Sequence, residues 1–143
     1  MFKKLTITFL FIIACAQTSI AQELQEQVET INGFIEEHSE GNRNYYAKIN
    51  ATQGNIYFYN GPQHVIELTF DVTKIDAENI KVGKKGLTFF PNEKSYLVKK
   101  RFSTTNSTVG SAWLNVIKMS KNDKAELKNM MKKFILDYQK AMK

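Results

Sequence analysis

Apolar positions recur every three to four residues near both ends of the chain and every second residue between them, which predicts two amphipathic helices flanking a set of strands. Leu24, Val28, Ile31, Phe34 and Ile35 fall on one stripe, and Glu23, Glu26, Glu29, Glu36 and Glu37 occupy the remaining faces. Gly33 weakens this helix slightly and Gly41 offers a stop. A stripe of such bulky side chains needs a surface to dock on, because a helix this short is marginal alone.

From residue 45 to residue 117 the period becomes two, with turn residues as punctuation. Tyr45, Ala47 and Ile49 alternate with Tyr46, Lys48 and Asn50, and Gln53-Gly54-Asn55 turns the chain into a strand over 56–59. Asn60-Gly61-Pro62 is a second turn, followed by the longest expected strand, with His64, Ile66, Leu68, Phe70 and Val72 on one face. Residues 80–82 and 87–90 form a hairpin across Gly83-Lys84-Lys85-Gly86. After a turn at 91–94 come strands over 95–102 and 111–117, separated by a polar loop over 103–110. The last segment returns to helical spacing: Leu127, Met130, Met131, Phe134, Ile135, Tyr138, Ala141 and Met142 make one stripe, most lysines lie off it, and Ser120 with Asp123 supplies a capping start.

The expected fold class is therefore α+β: about seven antiparallel strands in a sheet or partly open barrel, with an N-terminal helix and a C-terminal capping helix. From Tyr45 to Met142 this succession resembles the pleckstrin-homology-like fold. The local run Ile66-Glu67-Leu68-Thr69-Phe70-Asp71-Val72-Thr73-Lys74-Ile75, then Ile80-Lys81-Val82, is similar to the strand-bend-strand segment of such domains. With the leader described next, the chain resembles small exported proteins of Bacteroidota that carry this fold. The resemblance implies no phosphoinositide site, since no set of basic residues matches one position by position. A cystatin-like arrangement, with a long bent sheet wrapped around the first helix, is the alternative.

Residues 1–21 have the layout of a signal peptide: Lys3 and Lys4, an apolar run over 5–14, then a polar stretch ending in Ser19-Ile20-Ala21. The run is half the ~20 residues a membrane span needs, and no second apolar stretch approaches that length. Cleavage after Ala21 would leave residues 22–143 as one globular domain and lower the net charge from +6 to +4, because Lys3 and Lys4 leave with the leader. The expected location is periplasmic or secreted. Ile12-Ile13-Ala14-Cys15 loosely matches a lipobox, so a lipoprotein anchored through Cys15 is the alternative. Cys15 is the only cysteine, which excludes a disulfide framework.

Motifs for chemistry are sparse. His38 and His64 are the only imidazoles and have no ligand-type spacing, so neither a metal nor another cofactor is expected. No serine lies in a nucleophile elbow, and the glutamates are those of a wet helix face, so the chain reads as no enzyme. Lys84-Lys85, Lys99-Lys100-Arg101 and the C-terminal lysines could form a basic patch, but nucleic acid is not the partner an exported chain meets. Trp113 reads as core packing, and the sequons at Asn50 and Asn106 as incidental. Tyr57 and Tyr59 should point away from Ile56 and Phe58, onto the helix or onto a partner. The expected function is a non-catalytic periplasmic interaction or binding module for an envelope protein, using Tyr57, Tyr59, Lys84 and Lys85. The alternative is a carrier of a small apolar or lipid ligand between sheet and C-terminal helix, near Met130, Met131 and Phe134.

Overall fold

A computed structural model describes the backbone of residues 2–39 and 47–143, and side chains from residue 19 onward. Glu40, Gly41, Tyr45 and Tyr46, and the side chains of the apolar leader with Lys3, Lys4 and Cys15, lie outside the described residues. Among the described residues, helix α1 (Phe2–His38) is followed by eight strands and by helix α2 (Lys121–Ala141). The fold is α+β, as the alternation of periods implies, with its antiparallel strands in two sheets rather than a closed barrel or one sheet around α1. Strands β1 (Lys48–Thr52), β2 (Asn55–Asn60), β3 (Ile66–Asp71), β6 (Val98–Phe102) and β7 (Thr105–Val109) form one sheet in that order. Strands β4 (Ile75–Val82), β5 (Gly86–Pro91) and β8 (Ala112–Asn115) form the other.

The chain changes sheets at Asp71. Its Oδ1 accepts from the Thr73 backbone N at 2.8 Å and from Thr73 Oγ1 at 2.7 Å, closing a tight turn over Val72–Lys74 that redirects β3 into β4. The strand expected from His64 to Val72 is thereby cut to Ile66–Asp71, and at its other end Pro62–His64 forms a short 3-10 turn, with His64 at a φ of 54°. The longest strand is instead β4, eight residues, whose buried Ile75, Ala77 and Ile80 break strict alternation because a register shift separates Ile75 from Ile80. The stretch expected as a polar loop over 103–110 contains an eighth strand, β7, paired to β6 from Val98↔Val109 to Phe102↔Thr105. Thr105, Asn106, Ser107 and Thr108 are all exposed at the sheet's edge, so no apolar alternation marks them.

The inner faces of both sheets meet at three rings. Phe58 stands edge-on to Phe70 with centroids 5.0 Å apart and tilts against Phe89 of the second sheet at 4.8 Å. The α1 stripe of Val28, Ile31 and Ile35 and the α2 stripe of Leu127, Met131, Phe134, Ile135 and Tyr138 join the same core. The helices run antiparallel, since Gln27 Nε2 donates to Asp137 Oδ2 at 3.0 Å while His38 Nδ1 lies 3.4 Å from Asp123 Oδ2. The capping start expected for α2 is present: Ser120 Oγ accepts from the Asp123 backbone N at 3.1 Å.

Two asparagines join elements by standing in for a neighbouring strand. Asn32 on α1 donates through Nδ2 to the Ile49 carbonyl at 3.0 Å and accepts at Oδ1 from the Ile49 N at 2.8 Å, so the free edge of β1 is met by a helix side chain. Asn60, fully buried at the end of β2, donates to the Trp113 carbonyl at 2.9 Å and accepts from the Asn115 N at 2.8 Å, tying the first sheet to β8 of the second. Gly86 opens β5 at a φ of +153°, where a Cβ would stand 2.0 Å from the Leu114 carbonyl oxygen. No side chain can replace its hydrogen without moving β5 from β8.

Candidate functional site

The pleat sends alternate residues of β2 to opposite sides. Ile56 and Phe58 are fully buried, whereas Tyr57 and Tyr59 are half-buried and stand outside the core cluster. Helix α1 does not supply their cover, because its apolar stripe packs into the core on the Ile56 and Phe58 side. The pairing register continues the outer face across the sheet in two rows: Lys48, Tyr59, Glu67, Arg101 and Asn106 in one, Asn50, Tyr57, Thr69, Lys99 and Thr108 in the other.

Within these rows the two tyrosine rings stack, centroids 6.5 Å apart and planes 10° from parallel. The His64 ring lies 5.8 Å from that of Tyr59. On the other side, Arg101 Nη2 donates to Glu67 Oε2 at 2.7 Å. An ion pair with so exposed a guanidinium adds little stability, on the order of 0–1 kcal/mol, but it orients both groups beside the phenols. Burial pushes the Tyr59 hydroxyl above its ordinary pKa, with the Glu67 carboxylate and Tyr57 acting in the same direction and Arg101 against them. Tyr59 therefore stays a neutral hydrogen-bonding phenol through the physiological range. The face offers two aromatic plates, two hydroxyls and an oriented ion pair.

The remaining sequence candidates fall elsewhere. Lys84 and Lys85 are exposed in the turn between β4 and β5, and among the described residues no hydrogen bond, ion pair or ring contact joins them to Tyr57 or Tyr59. His38 sits in the last turn of α1, its ring 4.2 Å from that of Phe34, and His64 in the turn before β3, so the imidazoles have separate settings. Among the described residues no three His, Cys, Asp or Glu side chains are grouped to hold a metal ion. Trp113 packs partly against the core, with the Lys100 ammonium 5.6 Å above its ring. Met131 and Phe134 are fully buried in the core. A depression of about 310 Å³ that borders Met130 lies instead between the two helices, lined by Glu23, Gln27, Ile31 and Lys133. Glu67, Arg101 and His64 join the tyrosine face through pairing and turn geometry that no sequence spacing indicates. Comparison with protein-family models, curated proteins and solved structures returns no match.

Proposed function

We propose that the chain is an exported, non-catalytic interaction module that holds an envelope protein against the outer face of its five-stranded sheet. The observation that carries this reading is the stacked Tyr57 and Tyr59 pair, half-exposed, outside the core and bordered by the Glu67 and Arg101 ion pair. Aromatic anchors flanked by oriented charge are the residues on which protein interfaces concentrate their affinity. The filled space around Met131 and Phe134 favours this reading over a carrier of small apolar ligands. A fold of the pleckstrin-homology-like kind suits such a role, since its sheet presents a broad outer face.

Export is supported by the charged start, apolar run and small residues of positions 1–21. Among the described residues no helix is long and apolar enough to cross a membrane. Intact mass of material from the envelope fraction tests this part: a chain starting at Gln22 supports a cleaved leader, and an acylated chain starting at Cys15 replaces it with a lipid anchor. The interaction is tested by isotope-ratio pull-down from envelope extract, with Tyr57→Ala and Tyr59→Ala combined. Loss of a specific partner at unchanged melting temperature supports the tyrosine face. Equal recovery by both forms rejects it.

A further inference from the structure

The geometry points to a second surface, at the hairpin end of the smaller sheet, that docks on an anionic lipid bilayer. Three backbone-directed hydrogen bonds build it. The Val116 N donates to the Lys85 carbonyl at 2.9 Å, which fixes the stretch after β8 beside the β4 to β5 turn. Lys124, buried in the first turns of α2, donates from Nζ to the carbonyls of Gly83 and Lys84, each at 3.0 Å, and so fastens the same turn to the helix start. Four exposed lysines stand on the segments so joined: Lys84 and Lys85 on the hairpin, Lys118 after β8, and Lys121 at the opening of α2, while Lys81 of β4 lays its ammonium over the Phe90 ring, 5.1 Å from its centroid.

No acidic residue interrupts 79–92 or 112–122. Two of the acids that flank these stretches are engaged by other groups: Glu78 with Lys132 Nζ at 2.7 Å and Asp123 with His38. Two large aliphatic side chains stand out of the protein among the lysines, Val82 at 39 % exposure and Ile117 at 41 %. Ammonium groups around shallow apolar residues match the interface of an anionic membrane, where head groups meet the charges and the aliphatics reach the acyl boundary. Lipid head groups rearrange laterally beneath mobile ammonium groups carried on a fixed backbone, which an acidic protein surface does not. This surface is distinct from the tyrosine face and does not rest on it.

The test is co-sedimentation of the full chain with phosphatidylcholine vesicles and with vesicles containing phosphatidylglycerol. The readout is the anionic-over-neutral ratio of each variant relative to that of the parent, so that the N-terminus with Lys3 and Lys4, common to all of them, contributes equally. The parent's ratio should be well above one near 0.1 M salt, where charges act over ~10 Å, and collapse near 1 M, where they act over ~3 Å. Lys84→Gln with Lys85→Gln should lower it about 30-fold, the effect of two lysines near a charged surface, and Lys84→Arg with Lys85→Arg should preserve it. Lys94→Gln with Lys140→Gln, an equal charge change elsewhere, and the double tyrosine variant should leave it unchanged. A parent ratio near one at low salt overturns the proposal, as does an equal loss in the two Lys→Gln pairs, which would assign the effect to net charge alone.

Discussion

Replacing Asn60 by Ala should cost more stability than any other change of a single polar side chain in the described structure. Asn60 is fully buried, and its amide completes two backbone groups of the opposite sheet, the Trp113 carbonyl and the Asn115 N–H. Truncation leaves both without partners in an apolar setting, at about 1–3 kcal/mol each, so the expected loss is about 2–6 kcal/mol. Against the ~5–15 kcal/mol that holds a typical domain, such a loss moves the midpoint of urea unfolding far down while leaving its slope unchanged. Trp113, the only tryptophan, sits at the joint and reports the transition by fluorescence. Asn60→Asp sharpens the test. Protonated, the new carboxyl can donate to the Trp113 carbonyl and accept from Asn115; ionised, it can only accept and faces a carbonyl oxygen. Burial raises its folded pKa above the unfolded value of ~3.9, so its contribution is complete below that value and is lost as pH rises through the folded pKa. An Asn60→Ala loss under ~1 kcal/mol, or an Asn60→Asp variant with the parent's stability profile from about pH 4 to pH 7, would refute the reasoning.

Tyr138 presents a related case at the other end of the core. Its hydroxyl accepts from the Gly54 N at 2.7 Å, so Tyr138→Phe should cost about 1–3 kcal/mol by urea unfolding through the stranded N–H. Asp137 links stability to acid: the hydrogen bond from Lys133 Nζ, aided by that from Gln27, holds its carboxyl below the ordinary value against the opposing effect of burial. Its stabilisation is present above the unfolded pKa and lost as pH falls through the lower folded one, so Asp137→Asn should narrow the difference between melting temperatures at about pH 6 and about pH 2.5.

What could be read from the residues is what depends on periodicity. The α2 stripe and its Ser120 cap, the hairpin around Gly83 to Gly86 and the outward set of Tyr57 and Tyr59 all follow from local spacing, and the structure places them accordingly. Strand β7 was hidden because Thr105 to Thr108 have water on both sides, so no contrast of polarity marks their pleat. The first half of β4 was hidden because its bulge puts Ala77 and Ile80 out of phase. Arg101 reaches Glu67 only because β6 adds to β3 after the chain has built β4 and β5 elsewhere, a non-consecutive pairing that leaves no trace in spacing. Lys124 reads as one more solvated lysine, yet it is buried against two carbonyls whose positions depend on the hairpin.

The asparagine joints at positions 32 and 60 have an evolutionary consequence. Each amide addresses main-chain groups alone, so the side chains at 49, 113 and 115 are free to drift without disturbing the bond. Across divergent relatives such a connection would persist as two invariant amides with no covarying partner, and methods that infer proximity from correlated substitution would pass over the contacts that hold the two sheets and the first helix in place.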